Sequence, residues 1–278
     1  MEHLKTALEA RGFVLNPPAS PDDLAALEAD LGAPLPLPVR AMYEQFDGLE
    51  VDDGLVYQPL SARRAKNALA DLRAPYEDLG TPGLLRFGVP VFRDAGDNYL
   101  VYSLLPECPD RLIFSEHDGL FEPDVWFPTL EAVFEVGHDA TTDAWDMPPT
   151  YPAIAGTVPG DDEAADACLT AWRSRGGLEG QFFLSLACDV LPRSREGELT
   201  EWLAQATAEE LRPIYRSLGA RAAPGAAQIL EALLHRVKAQ GGAFAQHTRW
   251  IVETLAELET PEAAEALQRW NAPSPRSG

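Results

Sequence analysis

The sequence predicts an α+β domain with a mostly antiparallel sheet, followed by an all-α region. Three observations carry this. Residues 20–48, SPDDLAALEADLGAPLPLPVRAMYEQFDG, read as two short helices joined by a proline elbow. Residues 85–115 hold three β-type runs separated by turn residues. Beyond residue 160, Ala, Leu, Glu and Arg dominate and strand-like runs cease.

A short helix is expected over residues 3–13, with Leu4 and Leu8 on one side. The next helix has a well-defined start. The Ser20 hydroxyl can accept from an orphan backbone N–H one turn on. Pro21 sits where a missing N–H costs nothing. Asp22 and Asp23 face the positive end of the helix dipole. Leu24, Leu27 and Leu31 form its apolar stripe, and Gly32 stops it. Leu35-Pro36-Leu37-Pro38 is too rich in proline to be helical. A second helix is expected from Pro38, with Val39, Met42 and Phe46 as its stripe and Gly48 as its end.

Asp52-Asp53-Gly54 between Leu49–Val51 and Leu55–Tyr57 signals a hairpin. Ser61 is expected to cap a helix through about Leu72, and residues 73–84, with Pro75, Gly80, Pro82 and Gly83, to form a loop. Strands are expected at Leu85–Phe92, Tyr99–Leu105 and Arg111–Ser115, with a short return at Leu120–Phe121. A turn over Arg93–Asn98 joins the first two strands. Phe127–Val136 reads as a helix on Leu130, Val133 and Phe134. Pro148, Pro149, Pro152 and Pro159 with Gly156 and Gly160 mark residues 146–160 as a linker. It separates a domain at 1–145 from a helical domain at 161–271. Helices are expected there at about 161–174, 179–190, 197–206, 208–219, 224–240, 245–259 and 261–270, the last opened by Thr260-Pro261. A small HEAT-type solenoid and a simple bundle fit equally, because no strict repeat is visible.

Charge narrows the partner. The chain of 278 residues has a formal net charge of -22. Residues 1–155 carry 27 Asp and Glu against 10 Lys and Arg, so most of the excess lies in the first part. The charge argues against nucleic acid and disfavours anionic membrane surfaces as ligands, since both call for clustered cations. A basic protein is the natural partner of such a field. The three cysteines, Cys108, Cys168 and Cys188, are far apart and contain no CxxC pair. They are read as buried thiols in a reducing compartment, with neither disulfides nor structural zinc. The N-terminus lacks a basic start before an apolar run, and no run is long enough to span a bilayer, so a cytoplasmic protein is expected.

The order and spacing of these motifs resemble the SUKH superfamily, which includes the yeast cell-wall assembly regulator and many bacterial immunity proteins. Leu27-Glu28 with Leu31-Gly32 resembles the family's first-helix ending. Leu35-Pro36 and the helix to Phe46 resemble its Leu-Pro elbow and second helix. Asp47-Gly48 stands at its Asn-Gly-type turn. Phe92–Tyr102, with Gly96-Asp97 inside, is similar to its Gly-Asp strand turn, and Trp126–Phe134 to its closing helix. The elbow departs in having two Leu-Pro units, and Asp47 stands where Asn is usual. The resemblance covers about residues 18–137 and leaves out the helical tail. It implies a non-enzymatic role: many bacterial members neutralise a toxin by binding its toxic domain, often a nuclease with a cationic groove.

Candidate chemistry has a bland reading beside each sharp one. Glu28 either contacts a partner or orients the elbow by hydrogen bonding. Asp94 and Asp97 suit ordinary hairpin chemistry better than a metal, since EF-hand spacing is absent. Glu116, His117 and Asp118 with His138, Asp139 and Asp143 match no metal-binding spacing and read as solvated loops. His3, His235 and His247 are scattered. No nucleophile elbow, phosphate loop or dinucleotide fingerprint is present. Neither a cofactor nor a metal is expected. Glu44, Asp47, Glu50, Asp52 and Asp53 form the densest acidic string, either a solvated hairpin tip or part of a docking face that Asp94 and Asp97 extend. Trp172, Trp202, Trp250 and Trp270 are expected mostly in the core. The leading expectation is a binding protein that occludes a basic partner such as a toxin domain. A cellular regulator or scaffold is the alternative, and a hydrolase using a metal near His117 and His138 is a distant third.

Overall fold

A computed structural model describes residues 2–10, 13–49, 57–94, 96–116, 122–135, 150–223 and 225–272. They form two compact units: Met1–Tyr151 with Glu163–Ala187, and Pro152–Asp162 with Cys188–Gly278.

The first unit opens with α1 (Glu2–Ala10), α2 (Pro21–Leu31) and α3 (Leu37–Tyr43). The cap at Ser20 forms as expected: its Oγ accepts from Asp23 N–H at 3.1 Å. Leu24, Leu27 and Leu31 are buried. Helix α3 is shorter than its stripe suggests, because Ala19 N–H takes the Tyr43 carbonyl at 2.9 Å and the chain leaves the helix there. Phe46 is still buried, beyond the helix. The hairpin expected around residues 51–55 and the return at 120–121 lie outside the described residues. Leu49, which borders that hairpin, forms a bridge with Leu15.

Helix α4 (Ala62–Asp78) begins at Ser61, whose Oγ accepts from Arg64 N–H at 3.3 Å. It runs six residues past Leu72 and takes in Pro75. The apolar stripe Ala65, Leu69, Leu72 and Tyr76 continues through that point, and its burial outweighs the hydrogen bond that Pro75 cannot make. A 3₁₀ turn at Pro82–Leu84 lies within the stretch read as loop, and the strand expected from Leu85 begins at Gly88.

The sheet has five strands in chain order, all antiparallel: β1 (Gln58–Pro59), β2 (Gly88–Arg93), β3 (Tyr99–Ser103), β4 (Leu112–Ser115) and β5 (Asp124–Phe127). Two strands were not expected. β1 is only two residues long, and its Pro59 is tolerated because β1 is an edge. β5 ends on Phe127, the first residue of the expected Phe127–Val136 helix. Its four residues alternate in burial, Val125 and Phe127 inward, and Pro128 ends it. The helix that follows is α5 (Ala132–Glu135). Helix α2 packs on α4, and α4 on β2, so helices cover one face of the meander.

Helices α6 (Asp161–Arg175) and α7 (Gly177–Val190) belong, over residues 163–187, to this first unit rather than to the helical remainder. Phe182 meets Tyr76 and Phe87 edge-on, at ring centroid distances of 6.3 and 5.4 Å. Arg175 pairs with Glu107, and Glu179 Oε1 accepts from Gly83 N–H at 2.9 Å. Cys108 and Cys168 are buried beside each other, and Cys188 is buried in the second unit. The hydrogen-bonding contact with Cys108 first, and burial second, push the Cys168 thiol well above its ordinary pKa.

The second unit contains α8 (Gly197–Gln205), α9 (Leu211–Ala220), α10 (Ala226–Gln240), α11 (His247–Glu257) and α12 (Pro261–Asn271). Each of α10, α11 and α12 packs on the other two, the closed arrangement of a small bundle. The Thr260 cap forms, its Oγ1 accepting from Ala263 N–H at 3.2 Å. Gly219 of α9 lets α11 approach closely: a Cβ there would meet Thr254 Cγ2 at 2.3 Å. Arginines satisfy orphan carbonyls at helix C-termini, where a cation also complements the dipole. Arg221 is 1% exposed and donates from Nη2 to the Cys188 and Asp189 carbonyls at 2.7 and 3.1 Å, and from Nε to Ser217 Oγ at 3.0 Å. Arg236 does the same for the Leu203 carbonyl at the end of α8. Of the four tail tryptophans only Trp202 is buried; Trp172, Trp250 and Trp270 are half-buried. Arg212 lies over Trp250 and Lys238 over Trp270, at 5.0 and 4.9 Å from the ring centroids, so these rings serve as platforms for cations.

Two stability predictions follow from this unit. Arg221→Met should destabilise it by about 2–4 kcal/mol in urea unfolding, since the last-turn carbonyls of α7 lose their donors inside the protein. His247 is buried against Tyr215 and Trp250. Burial, reinforced by nearby Arg212, holds its pKa below the ordinary 6.5. The unfolded chain therefore binds the proton more readily, and the stability this neutral imidazole contributes is lost as pH falls through 6.5 and below. Thermal midpoints measured between pH 7.5 and 5 should fall more steeply in the natural protein than in His247→Phe.

Candidate docking surface

The elbow is built around one carboxylate. Glu28 lies on the last turns of α2, and its Oε1 accepts from Leu35 N–H at 2.7 Å and from Arg40 of α3. The bond from Leu35 and the Arg40 guanidinium hold its pKa below the ordinary 4.5. Gly32, at φ 73°, ends α2 by donating to the Glu28 carbonyl at 2.8 Å. Leu35 then turns inward and is buried, while Pro36 leads into α3. One side chain thus sets the angle between α2 and α3.

The turn after α3 is held twice. Asn16 Nδ2 donates to the carbonyls of Asp47 and Leu49, both at 2.9 Å. Asp47 Oδ1 accepts from Ala62 N–H at 2.6 Å, so it caps the start of α4 together with Ser61. Burial raises the Asp47 pKa against this bond. Gly48 has φ 76°, and a Cβ on it would meet Ser61 N at 2.9 Å, so no other residue fits this crossing. Nothing in the sequence marked Asn16 for this role. Arg40 carried a signal, since it stands four residues before Glu44 and pairs with it at 3.8 Å.

The residues proposed from the sequence as docking contacts separate into two places. Glu44 is exposed and borders a groove of about 280 Å³ between the chain at Pro18–Pro21, α2 and α3. Asp97 and Gly96 border a cleft of about 440 Å³ against α4, together with Asp71, Arg93, Tyr99 and Glu116. The two concavities share no lining residue. Glu50, Asp52 and Asp53 lie outside the described residues, as do His117, Asp118, His138, Asp139 and Asp143 of the cluster weighed for a metal. Among the described residues no group of three or more His, Cys, Asp or Glu is placed to hold a metal ion.

Asp94 differs from the docking contact expected of it. It is 6% exposed and its oxygens serve the turn, accepting from Gly96 N–H, Asn98 N–H and Asn98 Nδ2 at 2.8–2.9 Å. Asp97 is the outward residue, at φ 64° and paired with Arg93. The cleft is acidic: Asp71, Asp97 and Glu116 are exposed, and Arg93 is the cation among its lining residues. Its field reaches the neighbouring phenols. Burial first, then the charge of Asp94 and Glu116, pushes the Tyr57 pKa up, and burial with a contribution from Asp71 raises Tyr99.

The first unit is thus a helical layer on an antiparallel meander, entered through a carboxylate-clamped Leu-Pro elbow. Residues 18–136 match the model of the SMI1 / KNR4 family (SUKH-1), so the N-terminal half of this chain is a SUKH-type domain. No curated protein matches the chain closely enough to count as a relative. Among the described residues no helix is long and apolar enough to cross a membrane.

Glu28→Ala should destabilise the first unit by about 1–3 kcal/mol, the range for a charge-assisted hydrogen bond. The folded pKa of Glu28 lies below its unfolded value near 4.5, so its contribution is complete above that pH and vanishes as acid protonates the folded form. Urea unfolding should therefore separate Glu28→Ala from the natural protein at pH 7, and the gap should narrow as the pH is taken progressively below 4.5.

Proposed function

We propose that this protein is a non-catalytic binding protein of the immunity type, which neutralises a toxin by occupying a basic surface of its active domain. The observation that carries the reading is the coincidence of charge and family. The SUKH-type half holds most of the excess of carboxylates, and Asp22, Glu44, Asp71, Asp97 and Glu116 on it are exposed. Such a surface draws cationic proteins together faster than diffusion alone and rejects nucleic acid. The family match supports a protein-binding module of the immunity or cell-wall regulator kind.

Regulation or scaffolding in the cell is the second reading. It is favoured by the C-terminal helical unit, which lies outside the family match and keeps Trp250 and Trp270 half-exposed beneath cations. A scaffold would lose one of two bound proteins on Trp270→Ala and keep the other.

Affinity capture with the full chain, followed by titration of the recovered partner, tests the main reading. A single basic protein should bind at one-to-one stoichiometry, with its own activity abolished in the complex. The Kd should rise about tenfold or more between about 0.1 and 1 M salt, over which the Debye length shortens from about 10 to about 3 Å. Recovery of no partner, or an affinity indifferent to salt, overturns it.

A further inference from the structure

We propose that the groove beside the elbow seats an apolar side chain of the partner, and that this side chain lies in a basic segment. The inference rests on the binding reading above and gives it a location.

The floor of the groove is apolar, made by Pro18, Pro21, Leu24 and Ala25, and its rim carries Glu28, Arg40 and Glu44. Leu37 stands one turn before Arg40 on the same row of α3 and is 81% exposed. Single exposed leucines are common on protein surfaces. Leu37 differs by its setting. It lies between Pro36 and Pro38, one turn before Arg40, which lines the groove, and adjoins the concavity without lining it. The α2–α3 angle is fixed by the Glu28 bonds to Leu35 and Arg40. A surface already held in shape loses little freedom on binding, so its contacts convert efficiently into affinity.

Size and charge select the occupant. At about 280 Å³ the groove falls just below the range typical of small-molecule sites, about 300–1,000 Å³, and suits one side-chain anchor of a peptide segment. Arg40, the cation on the rim, is engaged by Glu28 and Glu44. Asp22 and Asp23 stand in the first turn of α2, whose Pro21 end forms part of the floor. The surroundings are therefore net negative, which favours Lys and Arg beside the anchor and disfavours an acidic segment.

A fluorescein-labelled peptide of alternating Lys and Leu tests this by anisotropy on the full chain, against all-Lys and Glu/Leu peptides of the same length. The Lys/Leu peptide should bind most tightly. Ala25→Arg, at an exposed position that lines the groove, should weaken it about tenfold or more, the loss expected when the partner's leucine is left uncovered. Leu178→Ser removes an exposed leucine, 40% exposed, and should change affinity less than about twofold, as expected for a residue that forms no part of the groove. Binding of the Lys/Leu peptide no tighter than the all-Lys peptide, or equal loss in Leu178→Ser, overturns the groove. That failure leaves the protein-binding reading to be decided by the salt-dependent capture, which does not depend on where the partner sits.

Discussion

The contact on which the first unit depends is the carboxylate of Glu28 between Leu35 N–H and Arg40. Two prolines in the elbow remove backbone donors, so the chain cannot stabilise this corner by a regular ladder. A side-chain acceptor takes that role. Because the bond involves an ionised acceptor and a guanidinium, it is stronger and more directional than a neutral turn bond. From it follow the inward turn of Leu35, the placement of Val39 and Met42 in the core, and the wall of the groove.

A second constraint acts further along. The stretch 13–19 runs beside 43–49 and gives it backbone and side-chain bonds, so the turn carrying Asp47 and Gly48 is fixed from outside the helices. Asp47 then starts α4, and α4 carries the buried stripe that meets α2 and β2. The acidic residues of this region are thus of two kinds. Glu28, Asp47 and Asp94 are committed to donors within the fold, while Glu44 and Asp97 face outward. Each of these two outward carboxylates pairs with an arginine four residues away along the chain, Glu44 with Arg40 and Asp97 with Arg93, and stays at the surface.

Local chemistry made much of this legible from the residues. Ser20, Ser61 and Thr260 announce their helices because a hydroxyl before a helix has one dominant use. The turn between β2 and β3, with Asp94, Gly96, Asp97 and Asn98, was readable for a similar reason. What escaped was set by distant partners. β1 and β5 exist because neighbouring strands offer a ladder, and so few residues carry no pattern of their own. Pro75 reads as a breaker, yet burial of Tyr76 keeps α4 intact past it. Asn16 and Arg40 meet their partners 31 and 12 residues away, which no local motif encodes. Asp94 and Asp97 looked alike in sequence; the positive φ at Asp97 and the turn geometry sent one outward and the other in.

The association of residues 163–187 with the first unit bears on how this domain can be handled. The family match stops at residue 136, a natural place to cut. A fragment ending there would strip Phe182 from Tyr76 and Phe87 and leave Glu107 without Arg175. It would carry a sticky aromatic scar beside an orphaned acid. A transplantable version of the fold therefore has to be excised with the first two helices of the tail still attached.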